Sequence, residues 1–376
     1  MKIGIVTFWQ SQDNYGQILQ CWALQQYLKK LGHEPFLIRY SLYGGFPLLS
    51  WTRKFVRSIL LPSRTKRLQV AYYKKNKIRC FEEFKKEHVK QTKNIYTTLR
   101  TLRRKPPVAD AYIVGSDQVW NPALLKKKRY YAFWLDFGSD QVKRIAYAAS
   151  FGTDMCPLEL REKLSRQLSR FNALSVREKS GIAICAAAGR QATHVLDPTL
   201  LLSMKEYCIL SDENPKVKLP YIYVYSINIS DREDIRWSEL SSFSAEKGMS
   251  LIVTPSSGYI PGQELFGDVE YCYATIPQWI SFIRHSELVV TTSFHGVVFC
   301  ILLHKRFVYF PLSNINSKGN SRVLDLLSKL DLSDCIWKTV GDYKRIYDLP
   351  INWAKVENSL SYLRKRSYTF LKTALS

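Results

Sequence analysis

Apolar residues along this chain fall into two alternating patterns. Short β-branched runs read as strands buried in a parallel sheet, and the longer segments between them carry apolar residues at helical spacing. Lys2–Phe8 is the first strand. The turn Gln10–Tyr15 follows, then a helix over Gln17–Leu31 with Ile18, Leu19, Trp22, Leu24, Leu28 and Leu31 on its apolar side. Gly32 ends that helix, and Pro35–Arg39 is the next strand. Further strands are expected at Ala111–Val114, Arg144–Ala149, Ala173–Val176, Tyr221–Tyr225, Leu251–Thr254, Leu288–Thr291 and Lys305–Phe310. Helices are expected at Arg161–Phe171, Gly181–Ala188, Asp231–Lys247, Pro277–His285, Val297–Leu303 and Trp353–Leu375, with another running from near Arg322 through Leu330. This alternation predicts an α/β protein of two doubly wound, Rossmann-type domains facing a cleft. The expected division is 1–170 for the N-terminal domain and 171–345 for the C-terminal one. A last segment, 346–376, is expected to pack its helix back on the N-terminal domain.

In such sheets ligands bind beyond the carboxyl ends of the strands, so the turns there carry the candidate chemistry. The turn Thr292–Gly296 joins a buried strand to a buried helix, and its free N–H groups favour an anion. His295 on that turn is placed to pass a proton to a phosphorylated ligand. The alternative is a hydrogen-bonded structural histidine. Arg177 leaves another strand end as a fork for phosphate or carboxylate, or else as half of a surface pair with Glu178. Arg322, near a helix start, can reach an anion held at His295. Asp13 and Asn14 suit helix capping or ligand contact, and Gly16 suits a close backbone approach. Gly115–Pro122 offers Asp117 to hold or deprotonate a hydroxyl and Trp120 as a flat face for a sugar ring. A turn carboxylate and a core Trp are the competing reading. Asp197 reads as a turn cap.

Charge changes the picture more than overall composition. The net charge is +23, and Trp51–Lys105 holds 18 Lys/Arg against Glu82, Glu83 and Glu87. This basic, helical insertion (51–105), with the Lys126–Arg129 cluster, implies a polyanionic partner. The apolar stretch Ser41–Trp51 just before it suits a helix lying at an anionic membrane surface, and a solvated surface is the alternative. No nucleic-acid-binding signature is present, so nucleic acid is not an expected partner. The eight Cys are scattered without a CxxC pair, which signals neither zinc nor a disulfide framework. The N-terminal apolar run is too short for a signal peptide and no run matches a membrane span, so a cytoplasmic protein is expected, with room for peripheral attachment to the inner face of the membrane.

Taken together, Asp13–Gly16, GSDQVWNP (Gly115–Pro122), YAASFG (Tyr147–Gly152), SVRE (Ser175–Glu178), LDPTLLL (Leu196–Leu202), TSFHG (Thr292–Gly296) and NSR (Asn320–Arg322) resemble the polysaccharide pyruvyl transferase family, in family order over nearly the whole chain. The resemblance implies a GT-B-like fold and transfer of a pyruvyl group from phosphoenolpyruvate to a sugar as a ketal, with no cofactor. It implies His295 as general acid and Arg177 as donor ligand. Arg322, Ser293, Gly296, Lys318 and Asn320 complete the expected donor site, and Asn14, Tyr15, Gly16, Asp117 and Trp120 the acceptor site. Many members carry Arg where this chain has Ser293, so donor binding is expected to lean on Arg322 or Lys318. The basic segment fits an acceptor that is a surface-polysaccharide precursor linked to a polyprenyl diphosphate. The competing functions are a nucleotide-sugar glycosyltransferase on the same fold and a non-catalytic polyanion- or membrane-binding homologue.

Overall fold

The computed structural model describes residues 1–42, 76–211, 215–256, 265–313, 317 and 319–376. Two parallel sheets organise them. The first is six-stranded in the order β2-β1-β3-β4-β5-β6 and the second five-stranded in the order β11-β10-β7-β8-β9. The first comprises β1 (Lys2–Val6), β2 (Glu34–Leu37), β3 (Ala111–Val114), β4 (Lys143–Ala149), β5 (Ala173–Val176) and β6 (Thr193–His194). The second comprises β7 (Tyr221–Tyr225), β8 (Ser250–Val253), β9 (Glu270–Tyr271), β10 (Leu288–Thr291) and β11 (Phe307–Tyr309).

The division expected at residue 170 is corrected by these pairings. Ile145 and Ala146 of β4 pair with Ala173 and Leu174 of β5, and Ser175 and Val176 pair on with β6. The first sheet therefore runs to His194, and Arg177 extends from it rather than from the second. Each sheet has one point where strand order reverses, between β1 and β3 and between β7 and β10. Loops diverge at such points and leave a crevice at the carboxyl ends.

Three helices position what lies in that crevice. Helix α1 (Tyr15–Lys30) follows β1, α2 (Phe294–Leu302) follows β10, and α3 (Ser321–Lys329) follows β11. Every residue of α2 is buried, as its unbroken apolar run requires. One apolar core joins the two halves, including Ile18 and Leu19 of α1, Val297 and Phe299 of α2, and residues of both sheets. Tyr15 fastens the join. Its ring stacks on Trp279 at 5.0 Å, and its hydroxyl donates to the Ala274 carbonyl at 2.6 Å.

The final helix, Trp353–Leu375, packs on the first sheet. Ser367 Oγ accepts from the Leu196 N–H at 3.0 Å, and the Phe370 ring lies 6.3 Å from that of Tyr147. At its other end Trp353 stacks on His304, just beyond α2. Within the basic insertion, residues 51–75 lie outside the described residues, as do 43–50 of the apolar stretch before it. Of the rest, Arg79 and Lys85 are buried, so part of that charge serves the core. Arg79 donates to Tyr15 Oη, to the Pro255 carbonyl and to Asn76 Oδ1, tying the insertion to both halves. Among the described residues no helix is long and apolar enough to cross a membrane.

Candidate functional site

A cavity of about 330 Å³ opens between the carboxyl ends of the two sheets. Asn14, Asp117 and Gln118 line it from the first sheet, and Asn228, Thr292 and His295 from the second, with Arg322 entering from α3. These residues follow β1, β3, β7 and β10, the four strands that flank the two reversals.

The turn leading into α2, whose first turn carries His295, is fastened on several sides. Thr291 Oγ1 donates to the Tyr225 carbonyl at 2.6 Å and accepts from the Ser293 N–H at 3.0 Å. Thr292 Oγ1 exchanges hydrogen bonds with the backbone of Ile227. Ser293 caps α2 by accepting the Gly296 N–H at 3.3 Å. A side chain on Gly296 would place Cβ 2.3 Å from Thr291 Oγ1, so only glycine fits there. The His295 ring is 7% exposed and lies directly over Gly16, where an added Cβ would be 2.0 Å from Nδ1. Glycine at 16 is the space the imidazole occupies.

Behind His295 lies a buried charge network. His295 Nε2 sits 3.8 Å from Asp197 Oδ1, an ion-pair distance without a hydrogen bond. Asp197 Oδ1 accepts from the Thr199 N–H and hydroxyl, and Oδ2 accepts from Ser116 Oγ and Arg177 Nη1, both at 2.6 Å. Burial alone would raise the Asp197 pKa, but the imidazole and the Arg177 guanidinium outweigh it and hold the carboxyl well below the usual range. Arg177 also faces Asp117 at 3.7 Å and Glu178 at 4.0 Å. Two guanidinium groups lie near the Phe294 ring, Arg177 at 4.8 Å and Arg322 at 5.5 Å from its centre. Burial first, and Arg177 second, lower the Arg322 pKa to about 10, so it stays cationic at neutral pH.

The structure brings His295, Ser293, Arg322, Asn14 and Asp117 to one cavity wall or another. Asp117 holds a positive φ of 81°, and its Oδ2 is enclosed without a hydrogen-bond partner among the described residues. Other expected site residues are placed elsewhere. Arg177 sits behind Phe294, its side chain 1% exposed, bonded to Asp197 instead of lining the cavity. Tyr15 is the pillar between the halves, and Trp120 is a core residue stacked on Trp134 at 4.9 Å with its N–H on the Phe133 carbonyl. Asn320 spends its amide on the Leu312 backbone and on Tyr309, holding a loop. The Gly296 N–H is committed to Ser293, and Gly16 makes room for His295. Lys318 lies outside the described residues.

Sequence reasoning missed Asp197 as partner of both His295 and Arg177, and missed Gln118 and Asn228 on the cavity wall. The LDPTLLL match was the available signal for Asp197. Among the described residues no three His, Cys, Asp or Glu side chains gather to hold a metal. A cavity with one embedded cation, an imidazole backed by a carboxylate and a facing carboxylate can bind an anion and move a proton beside it.

Residues 14–314 match the family model described as polysaccharide pyruvyl transferase. No curated protein matches the chain. UDP-GlcNAc 2-epimerase from Methanocaldococcus jannaschii, in complex with UDP-GlcNAc and UDP, is similar at a TM-score of 0.51 and 10% identity, covering 96% of this chain and 99% of that one. MurG from Acinetobacter baumannii gives a TM-score of 0.42 at 8% identity, covering 97% and 94%. The likeness concerns the fold, which is GT-B-like.

Proposed function

Since the chain belongs to the polysaccharide pyruvyl transferase family, we propose that its cleft moves the pyruvyl group of phosphoenolpyruvate onto a saccharide as a ketal. The observation that carries this reading is His295, backed by buried Asp197, on the same cavity as Arg322 and Asp117. Phosphoenolpyruvate is a dianionic-to-trianionic enol ester whose C2 opens to a hydroxyl once its double bond is protonated. Arg322 binds its phosphate or carboxylate, in a site where partial burial strengthens the attraction.

His295 gives its proton to the methylene carbon, which becomes a methyl group, and C2 becomes an oxocarbenium-like centre. The Asp197 carboxylate stabilises the imidazolium before the transfer and keeps the ring oriented. A saccharide hydroxyl oxygen then bonds to C2, releasing its proton toward Asp117. The C2–O bond to phosphate breaks, and phosphate leaves with the electron pair. A second hydroxyl closes the ketal. Asp117 passes the first hydroxyl proton to the departing phosphate, and the proton of the second hydroxyl restores His295. Arg177 acts from behind, holding Asp197 anionic.

The exposed Lys126–Arg129 cluster supports an acceptor carried on a polyprenyl diphosphate at an anionic membrane face. Lys and Arg near such a surface contribute about 1 kcal/mol each. Binding to anionic vesicles should weaken as salt rises, and salt-independent binding would count against this placement. The decisive experiment is calorimetric titration with phosphoenolpyruvate and, separately, nucleotide-sugars, followed by turnover of His295→Ala. Loss of a general acid should lower turnover by about 10²–10⁴-fold with donor binding retained. Binding of nucleotide-sugars alone, or turnover near wild type in the variant, would refute the assignment.

A further inference from the structure

Next to the reactive cavity lies a second one of about 310 Å³, formed wholly by the first sheet's side of the cleft. The two share Phe8, Gln17, Gln118 and Asn121, so a bound chain can pass from one to the other. Their chemistry differs. The reactive cavity carries Arg322, His295 and Asp117, whereas no Lys, Arg, His, Asp or Glu lines the second among the described residues. Its walls are five aromatic rings, Phe8 and Tyr130 half-buried among them, with the amides of Gln10, Gln17 and Gln118. None of those three side-chain amides has a hydrogen-bond partner among the described residues. At the rim the Arg129 guanidinium lies 5.2 Å from the Tyr130 ring centre.

We propose that this second cavity is an acceptor subsite for uncharged sugar rings. The saccharide modified is then an oligosaccharide whose unit beside the pyruvylated residue carries no carboxylate or phosphate. Aromatic faces match the C–H faces of pyranose rings, and their bulk excludes water. A primary amide both donates and accepts, as a sugar hydroxyl does, so free Gln side chains satisfy hydroxyls without favouring either role. A uronate buried here would meet no counter-charge among the described lining residues, which disfavours it. The size lies within the about 300–1,000 Å³ of ordinary ligand sites. This inference rests on the saccharide-acceptor reading of the adjacent cavity.

The test is titration of the full chain, by calorimetry or saturation-transfer NMR, with neutral gluco-, galacto-, manno- and N-acetylhexosamine trisaccharides. The same sugars ending in glucuronic acid and phosphoenolpyruvate are titrated in parallel. Tyr130→Ala and Gln10→Ala alter only the second cavity, and exposed Gln10 is replaceable without loss of fold. At least one neutral trisaccharide should bind, about tenfold more weakly in Tyr130→Ala, with phosphoenolpyruvate binding unchanged. Stronger binding of the glucuronate set, or neutral binding indifferent to both variants, would overturn the subsite. Donor binding without any neutral trisaccharide binding overturns the subsite alone. Neutral binding without donor binding overturns the pyruvyl-donor reading and leaves the subsite standing, and silence from both removes both.

Discussion

Gly16→Ala isolates the placement of His295 from its chemistry. A Cβ at residue 16 falls 2.0 Å from Nδ1, 2.2 Å from Cγ and 2.7 Å from Cε1 of the His295 ring. To reach ordinary contact at 3.4 Å the ring must withdraw by about 1.4 Å or α1 must shift. Helix α1 is pinned by the Asn14 cap and by Tyr15, which leaves the imidazole to move. A misplacement of about 1 Å costs a catalytic group about 10²-fold, so turnover should fall by that order or more. Stability should change far less. Overpacking costs about 1–3 kcal/mol, and replacing a helical glycine by alanine returns about 0.5–1 kcal/mol. The assay is steady-state phosphate release alongside phosphoenolpyruvate calorimetry and a urea melt. In a His295→Ala background, which vacates the ring's place, Gly16→Ala should cost no further activity, because the two residues act as one unit. Turnover of the single variant within a few-fold of wild type, or additive losses in the double variant, would refute the reasoning.

Arg322→Ala should weaken phosphoenolpyruvate binding by about 10- to 100-fold, the worth of a charge-assisted hydrogen bond, and unchanged affinity would remove it from the donor site. Trp120→Ala should destabilise the chain by about 3–5 kcal/mol in a urea melt while leaving saccharide affinity of the folded fraction intact, since the ring is buried on Trp134. Asp325 on α3 sits 2.6 Å from Lys329 and 3.3 Å from His194 of β6. Burial would raise its pKa, but His194 and Lys329 outweigh burial and hold it at about 2 against 3.8. A depressed carboxyl stabilises the fold above its unfolded pKa and loses that contribution as pH falls through the folded one, here between about pH 4 and 2. Urea midpoints of wild type and Asp325→Asn should therefore converge below pH 2, and a constant gap across that window would contradict the pairing.

Local pattern made the strand-turn-helix units legible because period and apolar run length are properties of neighbouring residues. Ala111–Val114, Ala173–Val176, Tyr221–Tyr225 and Leu288–Thr291 lie where their β-branched runs placed them, but the helix expected from Val297 begins at Phe294, which puts His295 in its first turn instead of on the connecting turn. What pattern could not carry was partnership across the chain. That β5 and β6 join the first sheet depends on pairing with β4, which no local run encodes. A tryptophan after a strand reads alike whether its ring faces the cleft, as expected of Trp120, or stacks in the core. Arg79 looked like one cation in a basic tract, yet it is buried at the join between the halves. Arg177 was legible as a cation at a strand end. Its commitment to Asp197 was not, because that carboxylate arrives from beyond β6.

The serine at position 293 illustrates how the site distributes charge and rigidity. Its hydroxyl closes the N-terminus of the helix bearing His295, a role that stabilises a helix by about 0.5–2 kcal/mol and that an arginine side chain, having no acceptor, cannot fill. The turn thereby supplies order, and the helix end adds partial positive charge toward the cavity. The full cation comes instead from α3, through Arg322. Burial first, and repulsion from Arg177 second, lower the pKa of that guanidinium. Both guanidinium groups lie within cation–π reach of the Phe294 ring, and Asp197, Asp117 and Glu178 offset the charge of Arg177. The consequence is a division of labour: Arg177 is spent on fixing the carboxylate behind the imidazole, and Arg322 is left as a cation lining the cavity.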